Sequence, residues 1–166
     1  MSDIYMKNIS ESSHINKDRG IQTEKEKALT FALERGMGYL ESRCQGSLYK
    51  EDFGLRHGDS IAWSTAYVAR LLKEIEPEKI KGNESALLNL QNSDGGWGYN
   101  NLVPSDADST ANALLLLKDT LNKEKYDEAV KFIKSHQHAN GGISTYTLDN
   151  LQKMGYKGEG WAMPHV

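Results

Sequence analysis

Gln91-Asn92-Ser93-Asp94-Gly95-Gly96-Trp97-Gly98-Tyr99 is the stretch that decides the fold of this chain. Upstream of it, Ala86-Leu87-Leu88-Asn89-Leu90-Gln91 reads as the end of a helix. Gly95 and Gly96 allow backbone conformations that a residue with a Cβ avoids, so the helix stops there. Trp97 follows at once, a large flat group with one N–H donor. Downstream, Pro104-Ser105-Asp106-Ala107-Asp108-Ser109-Thr110-Ala111 sets two carboxylates and two hydroxyls before an apolar run ending at Leu117. That pattern is a strong helix start. The run from Ala111 to Leu117 has no breaker and is rich in helix formers.

The pattern recurs. Gln137-His138-Ala139-Asn140-Gly141-Gly142-Ile143 repeats Gln91 to Trp97 without a gap, 46 residues later. Asp59-Ser60-Ile61-Ala62-Trp63-Ser64-Thr65-Ala66 resembles the helix start at Asp106, and Thr65 lies 45 residues before Thr110. Gly160-Trp161-Ala162-Met163-Pro164-His165-Val166 looks like the approach to a third such helix. A period of roughly 20–50 residues signals stacked supersecondary units. Each unit here reads as a helical hairpin, so the expected fold is all-α. Helices are expected at about 60–75, 79–90, 106–121 and 125–135, with a further helical pattern from Glu24. Residues 44–58 and 139–166 read mostly as loop, with a turn near Leu148–Leu151, and strand signal is weak. Residues 1–22 read as a polar, flexible tail, and 23–166 as the repeat domain. That domain is expected to be incomplete at its C-terminus, because the chain stops where the next helix would begin.

The Gln-x-x-Asp-Gly-Gly-Trp-Gly stretch resembles the repeat of squalene–hopene cyclases, oxidosqualene cyclases and class II diterpene cyclases. Protein prenyltransferase β-subunits and complement thioester domains share that α/α-toroid fold. The resemblance covers about residues 28–166 and implies helical hairpins forming a partial toroid. Asp106-Ala107-Asp108-Ser109-Thr110-Ala111 resembles the Asp-x-Asp-Asp-Thr-Ala motif of squalene–hopene cyclases, with Ser109 in place of the third aspartate. Oxidosqualene cyclases also lack that aspartate and carry a cysteine there. By this resemblance Asp108 is the proton donor and Asp106 its tuning partner. Ser109 and Thr110 then give hydrogen-bond support. Gln91, Gly95, Gly96, Trp97, Gln137, Gly141 and Gly142 are structural, tying helix ends together. In the later copy Ile143 replaces the tryptophan.

The residues themselves leave two readings open at the aspartates. One is simple capping, in which a carboxylate accepts backbone N–H bonds at the positive end of a helix. The other is a coupled acid, in which two close carboxylates resist double ionisation and so keep a proton. Trp63, Tyr67, Tyr99 and Trp161 are candidates to line a substrate cavity and face a carbocation with their rings, or to be plain core. Aromatic residues make up only 8% of the chain, which is thin for a complete cyclase cavity.

Composition narrows the classes further. The chain has 166 residues and a formal net charge of −3, with lysine and arginine dispersed, so nucleic acid is not an expected partner. No run approaches the roughly 18 apolar residues of a membrane span, although peripheral membrane contact stays open. The single cysteine, Cys44, precludes an internal disulfide and suits a reducing cytoplasm. His136 and His138 stand two apart, a spacing that does not share a helix face, and no metal site is expected. A protonation-initiated cyclisation needs no cofactor. Mg²⁺ would enter only with a diphosphate-bearing substrate. The expected ligand is an isoprenoid or another hydrophobic small molecule, and exposed apolar helix faces would favour self-association. Two functions fit: a class II, protonation-initiated isoprenoid cyclase or a fragment of one, and a non-catalytic helical-repeat module that binds a hydrophobic ligand or a protein partner.

Overall fold

The computed structural model describes residues 23–50, 56–157 and 160–163. The expected tail, residues 1–22, lies outside them. Two units are distinguished, one up to Ser42 and one from Arg43 onward. The first contains helix α1, Glu24–Arg43, which has no buried residue. Its start is capped reciprocally: Glu26 accepts from the Thr23 N–H at 2.7 Å, and the Glu26 N–H donates to the Thr23 hydroxyl at 3.3 Å. That exchange satisfies two otherwise orphaned donors.

The second unit is built from helical hairpins. Helix α2 is Ala62–Lys73 and α3 is Lys81–Leu88; α4 is Ala107–Leu117 and α5 is Lys123–Ser135. The two helices that open with Ser/Thr and Ala, α2 and α4, pack on each other, α3 flanks α2, and α5 flanks α4. Small residues permit that approach: Ala66, Ala69 and Ala113 are fully buried, with Thr65 and Thr110 between the helices and the turns. Among the described residues, no helix is long and apolar enough to cross a membrane.

The turns are more ordered than the sequence suggests. Cys44–Gln45 (β1) pairs antiparallel with Leu48–Tyr49 (β2), inside the stretch read as a loop. Trp97–Gly98 (β3) pairs with Ser105–Asp106 (β4), so Trp97 sits opposite Asp106. The tail end of the chain holds a short helix α6, Leu148–Lys153, started by Thr147, whose side chain accepts from the Asn150 N–H. A single 3-10 turn follows at Gly160–Ala162.

The repeat is visible as repeated contacts. The Ile61 N–H donates to the Tyr99 carbonyl at 2.9 Å, and the Ala107 N–H donates to the Thr145 carbonyl at 3.0 Å. Donors Ile61 and Ala107 are 46 residues apart, as are acceptors Tyr99 and Thr145. Likewise the Thr65 hydroxyl accepts the Tyr49 N–H and donates to its carbonyl. The Thr110 hydroxyl does the same to Trp97, at 2.9 and 3.3 Å. Each such threonine pins the preceding turn to the start of its helix.

Trp97 and Gln91 hold the first Gly-Gly turn. Trp97 is fully buried, and its Nε1–H donates to the Leu87 carbonyl at 2.8 Å. Gln91 Nε2 donates to the Gly95 carbonyl at 2.9 Å and to the Lys125 carbonyl at 3.2 Å. Gly95 has φ +84°, and a Cβ there would also meet the Glu128 backbone at 2.8 Å. In the later copy Gly141 has φ +89° but a Cβ there would meet nothing within 4 Å among the described residues, and the Gln137 side chain donates to the Gly141 carbonyl at 3.2 Å. The second turn keeps the backbone shape with looser surroundings.

Candidate active site

Asp106 is where the local physics of the helix start becomes chemistry. It is the N-cap of α4, with extended backbone, and its Oδ1 accepts the Ser109 N–H at 2.6 Å. Its Oδ2 accepts the Ser109 hydroxyl at 2.8 Å and the Tyr146 hydroxyl at 3.5 Å. The residue is 2% exposed. Burial pushes its carboxyl up from 3.8 to about 7, with the neighbouring Asp108 charge pushing the same way against the hydrogen bonds from Ser109. Tyr146, buried beside it, has its hydroxyl pushed up by burial and then by Asp106, so it remains a donor.

Asp108 is set two positions further on the same turn and is exposed. Its Oδ2 accepts the Thr145 hydroxyl at 2.7 Å, and its Oδ1 accepts no hydrogen bond among the described residues. Both carboxylates line a cavity of about 290 Å³. Trp63 and Tyr99 form part of its wall, and α6 with the segment after it supplies Leu151, Met154 and Tyr156. His57 also lines it and meets the Tyr156 ring edge-on at 5.8 Å. The cavity is therefore largely apolar with a pair of carboxylates in its lining, the usual make-up of a small-molecule site.

Several residues singled out in the sequence take other places. Ser109 is bound to Asp106, not to Asp108. The Thr110 hydroxyl is spent on the Trp97 backbone, so it supports the turn and touches neither carboxylate. Tyr67 stacks on Trp63 at 5.3 Å between ring centroids, is 40% exposed, and lies outside the cavity lining. The Trp161 backbone is in the 3-10 turn, and its side chain lies outside the described residues. Conversely, Thr145, Tyr146 and Tyr156 were not singled out, although Thr145 stands one repeat after Tyr99 and was open to discovery by that offset.

The raised carboxyl of Asp106 sets a pH dependence of stability. The folded group titrates near 7 and the unfolded one near 3.8. Between those values the folded chain holds a proton that the unfolded chain has lost, so stability falls as pH rises through that window. Asp106→Asn keeps a capping oxygen and removes the titration. Urea midpoints measured from pH 4 to 8 should decline for the natural chain and stay flatter for Asp106→Asn. Parallel pH curves for the two would mean that Asp106 is not held protonated by burial.

Solved structures share this architecture. A protein from Actinoplanes matches with a TM-score of 0.71 at 28% identity, over 82% of this chain and 44% of that one. The type II terpene cyclase MstE from Scytonema matches with a TM-score of 0.68 at 24% identity, over 82% of this chain and 42% of that one. An aspartate-to-asparagine variant of MstE, in complex with its substrate geranylgeranyl dihydroxybenzoate, matches with a TM-score of 0.69 at 23% identity, over 82% of this chain and 44% of that one. The chain has a terpene cyclase-like fold. It spans less than half the length of these solved structures. No protein-family model matches it, and no curated protein matches it in sequence. Within the terpene cyclase-like fold, Asp106 and Asp108 occupy the start of α4, against the cavity.

Proposed function

We propose that this chain carries the proton-donating part of a class II isoprenoid cyclase. The observation that carries the reading is the carboxylate pair at the start of α4: one buried, one exposed, both facing an apolar cavity. An alkene is a weak base, so it takes a proton only from a neutral carboxyl group. Two adjacent carboxylates keep one proton between them because double ionisation is costly. Burial holds the pair's proton on Asp106 at rest, and the donors from Ser109 and Tyr146 suit the Asp106 anion once that proton is passed on. Asp108, the member with an oxygen left open, receives the pair's proton and delivers it to the terminal alkene carbon. The new C–H bond leaves a tertiary carbocation, whose ring closures are steadied by the faces of Trp63 and Tyr99. Loss of a proton from carbon to solvent ends the sequence, and solvent reprotonates the exposed Asp108. Atoms balance as an isomerisation.

The proposal includes a cytoplasmic setting, self-association of the repeat array and no cofactor, with Mg²⁺ entering only if the substrate carries a diphosphate. MstE binds a geranylgeranylated dihydroxybenzoate as substrate and merosterolic acid A as product, which favours a hydrophobic isoprenoid without a diphosphate here. The test is turnover of geranylgeranyl dihydroxybenzoate by the full chain in D₂O. A cyclised product carrying one deuterium at the initiating carbon is expected. Recovery of unchanged substrate, or of a cyclised product without deuterium at that carbon, would defeat the reading and leave a hydrophobic-binding module.

A further inference from the structure

We infer that Thr145 is a positioning residue for the acid: from the following repeat, its hydroxyl holds one oxygen of Asp108 and turns the other toward the cavity. The inference rests on reading Asp108 as the proton donor, and it adds a residue that the motif around Asp106 does not contain.

The argument starts from the repeat itself. At each junction a carbonyl of the later turn accepts an N–H from the start of the earlier Ser/Thr-Ala helix. Tyr99 does this for Ile61, and Thr145 does it for Ala107. The backbone contact therefore needs no short β-hydroxy side chain, since Tyr99 serves at the first junction. The start of α2 has Ser60 and Ala62 where α4 has Asp106 and Asp108, so that junction has no carboxylates to hold. Where the carboxylates occur, the facing residue is a short β-hydroxy side chain. Thr145 is 4% exposed, and its Oγ1–H donates to Asp108 Oδ2 at 2.7 Å. The adjacent Tyr146 directs its hydroxyl at Asp106 Oδ2. Two consecutive residues of one turn thus each address one member of the pair. The Ala107 N–H bond fixes the turn between them, so the Thr145 donor is already in place before any charge develops.

The chemical consequence follows from where charge appears. Proton delivery leaves a carboxylate on Asp108, and a hydrogen bond donated to a carboxylate favours its charged form. A donor fixed beforehand at such a position works without reorganisation during the reaction. Thr145 also decides which oxygen reacts. With Oδ2 engaged, the proton is carried on Oδ1.

Thr145→Val keeps the branched shape and the backbone bond and removes the donor; Thr145→Ser restores the donor. With geranylgeranyl dihydroxybenzoate as probe, Thr145→Val should lower kcat by about a hundredfold, the scale for loss of one preorganised donor. KM should stay within about twofold and Thr145→Ser should recover most of the rate. A purely structural role would move melting temperature and KM, and serine would not separate from valine in kcat. Unchanged kcat in Thr145→Val, or no recovery in Thr145→Ser, overturns the inference. The ¹³C carboxyl resonance of Asp108 gives a readout that needs no turnover. It should move in Thr145→Val and return in Thr145→Ser, and an unmoved resonance also overturns the inference. If the natural chain turns nothing over, the proton-donor reading fails, and the resonance alone decides whether Thr145 holds Asp108.

Discussion

Trp97→Ala should lower the stability of the second unit by about 3–5 kcal/mol, the range for emptying the volume of a buried aromatic. Trp97 is fully buried, and it stands where three elements meet. Its indole N–H reaches the end of α3 through the Leu87 carbonyl. Its backbone is pinned to α4 by Thr110. Its strand partner is Asp106. Truncation therefore leaves a cavity and releases the support behind the acid pair. Trp97→Phe separates the two contributions, because it keeps most of the packing and loses the N–H bond. That variant should lose about 1–2 kcal/mol more than the missing ring volume alone would predict. Gln152→Ala, on the exposed side of α6, serves as a control expected to stay within about 0.5 kcal/mol. Urea midpoints give the comparison. A Trp97→Ala midpoint equal to that of Gln152→Ala would remove Trp97 from the centre of this architecture.

The hairpins were legible because helix stops and starts are local chemistry. Gly95 reads as a stop in any context, and it has the positive φ that such a stop needs. Asp106 reads as a cap, and it is the N-cap. Boundaries were less legible. The helix expected at 106–121 ends at Leu117, since Lys118 to Leu121 give their backbone to a turn that closes on the Leu117 carbonyl. The short strands were not legible at all. Two-residue strands carry no alternation, and each arises because a turn folds back on the chain. The carboxylates could be named from the motif, but their division of labour could not. Asp106 and Asp108 take hydrogen-bond partners 40 and 37 positions downstream, Tyr146 and Thr145, which no local pattern announces. Ser109 illustrates the same limit. Its place beside Asp108 in the chain suggests a bond between the two, yet the geometry of an N-cap directs its N–H and hydroxyl back to Asp106.

Asp108→Asn should cut cyclisation of geranylgeranyl dihydroxybenzoate by about 10²–10⁴-fold, the contribution of a positioned acid, while leaving stability nearly unchanged. The two halves of that expectation come from different facts. The cap of α4 is Asp106, so an amide at 108 removes no capping bond. What it gives up is one negative charge in the first turn of a helix, worth about 0.3–1 kcal/mol at an exposed position. The amide oxygen can still accept from Thr145, so the contact across the repeats persists in weaker form. The chemistry has no such substitute. An amide N–H does not protonate an alkene, and Asp106 cannot step in, because both of its oxygens already face donors from Ser109 and Tyr146 in a buried site. Asp106→Asn should therefore behave differently. It leaves the delivering oxygen on Asp108 and removes the neighbour that holds the pair's proton, so rate should fall without vanishing. Substrate should still bind to Asp108→Asn, since the cavity wall is unchanged in shape, and equilibrium binding of the same probe checks this. Full turnover by Asp108→Asn would take the proton donor away from position 108, and full turnover by both variants would take it away from the start of α4 altogether.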